Sequence, residues 1–275
     1  METSHLDGDT LGLALRSGIH NVIADQSFLN KINVFPVADG DTGTNLSLSM
    51  SSALGVLRAP GEKHLGTMLA AMADALLDGA RGNSGAIMAQ FFQGLSDSAG
   101  ELTRFTTATF SKAVRTGSDY AHDALSNPRE GTILSLIAEF ANGLEHQVRG
   151  SNPGNFADVF EMVMPQLDAA LERTTGQLDE LRKAGVVDAG AKGFVDLVKG
   201  ISEYLRSGEM VAMPDMSQLL SEDDMHMPAL TDEEYEALSI PMGSHTTVER
   251  LEVESHVRHT YQFLKMIPWT KSFRN

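Results

Sequence analysis

The 275-residue sequence contains no cysteine. Disulfides and thiolate metal sites are therefore excluded, and the absence suits a reducing compartment. Positive charge is scarce: 21 Lys and Arg stand against 37 Asp and Glu, a formal net charge of −16. Such a surface repels polyanions, and no local basic patch intervenes, so nucleic acid is not an expected partner. An anionic membrane surface is disfavoured for the same reason. No apolar run is long enough to span a bilayer. The start, METSHLDGDTLGL, lacks the basic region and apolar core of a signal peptide. A soluble, cytoplasmic protein without stable membrane insertion is expected. Aromatic residues make up only 6% of the chain, whereas 42% is hydrophobic and rich in Ala, Leu and Met. That balance favours helices around a sizeable core over a β-sandwich.

What is present is helical periodicity. Leu11, Leu15, Ile19, Val22, Ile23 and Leu29 share one face. Asp9 and Thr10 supply cap chemistry ahead of them, and the helix is expected to end near Asn33, because Pro36 disfavours helical geometry at Phe35. The same spacing predicts helices over residues 46–57, 65–77, 87–95, 110–125, 133–144, 156–171 and 194–205. These make eight amphipathic helices with short connections, which favour antiparallel neighbours. No strand alternation, βαβ rhythm or internal repeat is visible. The expected fold class is all-α over residues 1–208, followed by an acidic linker or tail over residues 209–275. No Lys or Arg occurs between Arg206 and Arg250, and acids cluster with Met in residues 221–236. That run reads either as a flexible acidic linker or as a segment that orders on a partner. Residues 261–275 are basic and aromatic, suited to docking on an acidic surface.

The chemistry concentrates in loops at helix starts. In NVFPVADGDTGTN, residues 33–45, Asp39 and Asp41 flank Gly40. Carboxylates one residue apart in an irregular loop can turn toward one Mg²⁺, which prefers oxygen ligands and also takes phosphate oxygens. Thr42, Gly43, Thr44 and Asn45 stand where a helix begins, so their N–H groups and the helix dipole favour phosphate. Thr44 or Asn45 can equally be a plain N-cap, and DGDTG can be a simple turn. An EF-hand is excluded, because its terminal Glu position falls on Met50. The loop GARGNSG, residues 79–85, also leads into a helix. Gly82, Asn83, Ser84 and Gly85 have the composition of a phosphate cradle, although no Gly-Lys-Ser/Thr of a Walker A loop follows. The alternative is a Gly-rich interhelical turn capped by Ser84, with Arg81 on the surface rather than on phosphate. Two further loops share the design: Glu130-Gly131-Thr132, and residues 187–193 with Asp188, Gly190 and Lys192. Asp188 suits an N-cap, and Lys192 can neutralise phosphate. If the helices alternate in direction, the four loops gather at one end of the bundle. His256 and His259, with Glu252, have helix-face spacing, for which a solvated face is the plainer reading. No GxSxG elbow of a serine hydrolase occurs.

Together NVFPVADGDTGTN, GARGNSG with the apolar helix after it, EGTIL and VVDAGAKG resemble, in order, the DhaL-type nucleotide-binding domain of dihydroxyacetone kinases. Within that group the chain resembles the N-terminal domain of the bacterial fatty acid kinase subunit. The likeness spans residues 11–208. It implies a closed barrel of eight antiparallel helices with ATP at one end and Mg²⁺ on acids of the first loop. Asp39 and Asp41 match the metal-binding acids of the catalytic centre. Asn33 stands where dihydroxyacetone kinases carry another Asp, which weakens the third metal ligand. Thr42 replaces a His common in those kinases. Gly82, Asn83, Ser84 and Gly85 match the phosphate-side loop, and Thr132 the entry to the sixth helix. Asp188, Gly190 and Lys192 match the loop that closes over nucleotide, where Arg is common at the Lys192 position. The implied reaction is Mg-ATP-dependent phosphoryl transfer to a fatty acid carboxylate presented by a DegV-like carrier protein. The loop N–H groups and Lys192 or Arg81 would stabilise the transferred charge. Two alternatives stand beside it: a nucleotide-binding regulatory module without transfer, and a dihydroxyacetone-type kinase subunit. Homodimerisation is left open.

Overall fold

The computed structural model describes residues 3–58, 64–125, 127–150 and 154–212. The acidic run 221–236, the group Glu252, His256 and His259, and the basic end 261–275 lie outside these residues. Ten α-helices form among the described residues, not eight. The periodic segments lie on α1 (Gly8–Ala24), α3 (Thr42–Leu54), α4 (Leu65–Gly79), α5 (Gly82–Ala99), α6 (Thr107–Asp123), α7 (Ile133–Gly150), α8 (Phe156–Gln177) and α10 (Ala189–Ser207). The other two helices, α2 (Gln26–Lys31) and α9 (Asp179–Ala184), have six residues each. The α9 sequence DELRKA buries only Leu181, which is too little apolar signal for periodicity to register. A short strand pair, β1 (Leu6–Asp7) against β2 (Arg104–Phe105), is antiparallel and only two residues long. The first helix begins one turn earlier than its pattern implied. Its N-cap is Asp7, whose carboxylate accepts from Thr10 N–H at 2.9 Å, rather than Asp9 or Thr10.

The helices pack in sequence. α3 lies against α4, α4 against α5, α5 against α6, α6 against α7, α7 against α8 and α8 against α10, while α1 touches both α10 and α3. α1 and α10 approach to backbone contact. A Cβ on Gly18 would stand 2.5 Å from the Leu197 carbonyl oxygen, and one on Gly200 2.6 Å from that of Ser17. The few aromatics are concentrated inside. Phe91, Phe110, Phe140, Phe160 and Phe194 come from α5, α6, α7, α8 and α10 and meet at ring-centroid distances of 5.7 to 6.5 Å, mostly edge-on. Burying each contributes about 2–3 kcal/mol, and the edge-to-face geometry adds roughly 0.5–1.5 kcal/mol per pair.

Three polar links fix the helix starts. The first helical segment breaks at Asp25, whose carboxylate pairs with Lys192 of α10. Lys192 also donates to Asp196 at 2.7 Å and lies over the Phe28 ring. Burial opposes the ammonium charge, but the hydrogen bonds to Asp196 and Asp25 prevail and raise the Lys192 pKa. Burial pushes Asp196 up to about 6 despite this partner. Second, Asn30 of α2 brackets the start of α3: its Oδ1 accepts from Thr44 N–H at 3.0 Å and its Nδ2 donates to Thr44 Oγ1 at 2.9 Å. Third, Asp188 caps α10. Its Oδ1 accepts from Ala191 N–H at 2.8 Å, and the N–H groups of Ile133 at the start of α7 and of Gly190 also face it. Its own N–H donates to Thr174 Oγ1 of α8 at 3.0 Å. Beyond α10, Val211 is tied back to α1: its N–H donates to Ser17 Oγ at 3.0 Å, and His20 Nδ1 donates to its carbonyl at 2.8 Å.

Lys192→Met leaves two carboxylates without their cation. The expected cost in urea unfolding is about 2 kcal/mol, below the 3–5 of a fully buried pair, because the Asp25 side chain is 33% exposed. An unchanged midpoint would contradict this account of the Asp25 break. Asp188 is 5% exposed, and burial raises its pKa to about 6. The folded chain therefore holds a proton that the unfolded chain has released. Stability from this group is present below about pH 4 and declines by roughly 2–3 kcal/mol as pH rises to about 6. Asp188→Asn stays neutral and keeps a cap acceptor. Its stability relative to wild type should rise across that window in paired urea titrations, and a pH-independent difference would count against the raised pKa.

Candidate functional site

The four predicted loops meet at one cavity of about 530 Å³, within the range of about 300–1,000 Å³ usual for ligand sites. From the first loop it is lined by Asn33, Asp39, Asp41, Thr42 and Asn45; from the second by Gly82, Asn83 and Ser84; from the third by Thr132; and from the fourth by Asp188 and Gly190. The starts of α3, α5, α7 and α10 thus converge, so four positive dipole ends face one space. Asp188 caps α10. By contrast, neither Asp41 nor Arg81, the N-cap residues of α3 and α5, makes a side-chain cap bond. The first turn of α5 accordingly presents N–H groups that suit an anion.

Glycines bring the helix starts together. Gly82 has φ +57, and a Cβ there would lie 2.8 Å from Asn45 Nδ2 of α3. A Cβ on Gly190 would lie 3.3 Å from Ser84 Oγ, Ile133 Cβ and Asp188 Oδ1 alike. Any larger residue at Gly190 would press α5, α7 and α10 apart and fill the cavity wall.

The acidic part of the site is organised by Asn33, which is 5% exposed. Its Nδ2 donates to Asp39 Oδ1 at 2.7 Å and to the Val37 carbonyl at 3.4 Å, while its Oδ1 accepts from Thr42 Oγ1 at 2.7 Å. Asn33 is thus a clasp between Asp39 and Thr42, with its amide group engaged on both sides. Asp41 is pushed above its ordinary pKa by burial and by the charge of neighbouring Asp39, against a hydrogen bond from Asn45 that lowers it. Two neighbouring carboxylates form a donor set that a divalent cation would stabilise. Among the described residues no group of three or more His, Asp or Glu side chains converges in metal-binding geometry.

Several expected residues are near the cavity without lining it. Gly43 is a packing position: a Cβ there would meet the Gln26 carbonyl oxygen at 2.2 Å. Thr44 is held by Asn30, as above. Gly85 lies against Ser49, whose Oγ a Cβ would meet at 2.3 Å. Arg81 is exposed, and its backbone N–H donates to Ser49 Oγ at 2.8 Å. Lys192 is turned away to Asp25 and Asp196. The lining also includes residues that sequence reasoning passed over: Phe35, Pro36 and Val37 on one side, and Ile87, Leu125, Asn127, Arg129 and Ile133 on the other. Arg129 carried a readable signal, a lone base beside Pro128 in the loop that opens α7. The apolar members looked like core residues, because periodicity does not distinguish a core from a pocket wall.

A family model described as the DAK2 domain matches residues 36–203. Protein YloV of Bacillus subtilis (strain 168) is 35% identical over 225 residues, covering 82% of this chain and 40% of its own length. An uncharacterized protein of Staphylococcus saprophyticus is 30% identical over 209 residues, covering 76% of this chain and 37% of its own. The chain thus spans about two-fifths of the length of these relatives. Among solved structures it is similar to the dihydroxyacetone kinase of C. freundii in native form, with TM-score 0.56 and 18% identity over 70% of this chain and 34% of that one. The same kinase in complex with AMP-PNP and Mg²⁺ gives TM-score 0.54 and 17% identity, over 70% and 33%. At these identities the likeness is one of fold. With the family model covering more than half of its length, the chain belongs to the DAK2 domain family.

Proposed function

We propose that this chain is a kinase domain that binds Mg-ATP in the cavity between α3, α5, α7 and α10. We further propose that it transfers the terminal phosphoryl group to a fatty acid carboxylate presented by a DegV-like carrier protein in the cytoplasm. The observation that carries the reading is the convergence of four helix starts with a paired-carboxylate loop on one cavity. The family membership and a neighbouring fold in complex with AMP-PNP and Mg²⁺ support it. The proposal includes the finer architecture, a closed antiparallel barrel over residues 1–208, followed by an acidic linker or tail over residues 209–275.

Asp39 and Asp41 would hold the metal. Bound Mg²⁺ would supply positive charge that offsets the charge of the phosphates. Asn33 keeps the Asp39 carboxylate turned into the site and fixes the Thr42 hydroxyl beside it. The first-turn N–H groups of α5, at Asn83 and Ser84, would receive phosphate oxygens, and Gly82 and Gly190 leave the room to do so. In the transfer an acceptor oxygen forms a bond to the γ-phosphorus as the bond to the ADP oxygen breaks. A carboxylate acceptor is already ionised near neutral pH and needs no general base.

Isothermal titration of ATP with Mg²⁺ should show binding to the wild-type chain and about 10–100-fold weaker binding to Asp41→Asn, as expected for loss of a charged ligand. Equal affinities would remove Asp41 from the metal site. A single-turnover assay with labelled ATP and fatty-acid-loaded DegV-like protein should then move label to the acyl group. ATP binding without transfer would leave a nucleotide-binding module in place of a kinase.

A further inference from the structure

A polyphosphate in this cavity would be favoured by a cationic side chain beside any metal, and the residues expected to supply it are elsewhere. Lys192 is held between Asp25 and Asp196, and the exposed Arg81 does not line the cavity. Among the described residues the lining contains three carboxylates, Asp39, Asp41 and Asp188, and one basic side chain, Arg129.

Arg129 sits in the loop between α6 and α7, and that loop is built to present it. Its carbonyl accepts from Thr132 Oγ1 at 2.8 Å. Gly131 turns the chain at φ +82, and a Cβ there would stand 2.6 Å from Cβ of Gln177 on α8, so the turn is tightly seated. The neighbouring acid, Glu130, is occupied by Ser135 Oγ at 2.6 Å, and that Oγ also accepts from Gly131 N–H at 2.9 Å. The hydrogen bonds and ion pairs of the described residues leave the Arg129 guanidinium without a partner, although acids are abundant in the chain. An arginine with a fixed backbone, no ion pair and a place on the cavity wall matches phosphate with its planar fork better than a lysine would.

We propose that Arg129 is the cationic ligand of the nucleotide's terminal phosphates, in the role the sequence alone assigned to Lys192 or Arg81. The inference rests on the nucleotide-binding reading above. It gives Thr132 a second part: its hydroxyl proton is committed to the Arg129 carbonyl, so Thr132 positions the arginine as well as lining the cavity.

The test is isothermal titration of ATP and AMP, each with Mg²⁺, against wild type, Arg129→Met and Arg129→Lys. Arg129 is exposed, so thermal midpoints should match the wild type's. Arg129→Met should weaken ATP by about 10–100-fold and leave AMP unchanged, with Arg129→Lys between. If wild type binds ATP and Arg129→Met binds it equally well, the Arg129 role is wrong and the nucleotide reading stands. An equal loss for ATP and AMP also overturns it, since a ligand of the terminal phosphates cannot act on AMP. If wild type binds neither nucleotide, the underlying reading fails with it.

Discussion

Four helices start at the same place, and the rest of the site is a response to that constraint. Helix starts carry unpaired N–H groups and the positive ends of dipoles. Gathering them at one cavity is unfavourable unless anions or acceptors meet them. The chain supplies acceptors for only some. Asp188 serves α10 and reaches the first N–H of α7, and Asn30 takes Thr44 at the start of α3. The start of α5 has no cap from Arg81. A fold that closes some of these ends with a buried acid and an amide and leaves another open to a cavity is pre-organised for an anionic ligand.

The pairing of Lys192 with Asp25 extends that organisation to the loop bearing Asp39 and Asp41. It ties the break in the first helical segment to α10, and the short α2 that follows carries Asn30 to the start of α3. Gly43 permits the close seat, since its neighbour is the backbone of α2 itself. The loop bearing Asp39 and Asp41 is therefore braced from one side by α2 and clasped from within by Asn33. Lys192, paired with Asp25 and Asp196, thus helps to set the geometry of residues around the cavity.

Much of this was legible in the chain. Each long helix coincides with a periodic apolar segment, and the four glycine-containing loops do converge. What periodicity could not give was whatever depends on contacts remote in sequence. Asp25, where the first helical segment breaks, is paired with a residue 167 positions away. The six-residue α9 has one buried side chain to announce it. Asn33 is chemically suited to bind a metal, and only its two partners show that its amide group is a clasp. Ile87, Leu125 and Ile133 are apolar at helical spacing whether they face a core or a ligand. Arg129 and Lys192 are both loop-proximal bases, and only their partners, or the lack of them, tell them apart.

The central claim is that the open helix starts, rather than any other part of the surface, receive the nucleotide. Amide hydrogen exchange with and without Mg-ATP tests it most directly. The account predicts slowed exchange at residues 39–45, 82–85 and 129–133, with little change along the middle of α6 and α8. Protection that appears elsewhere and spares those three segments would contradict it.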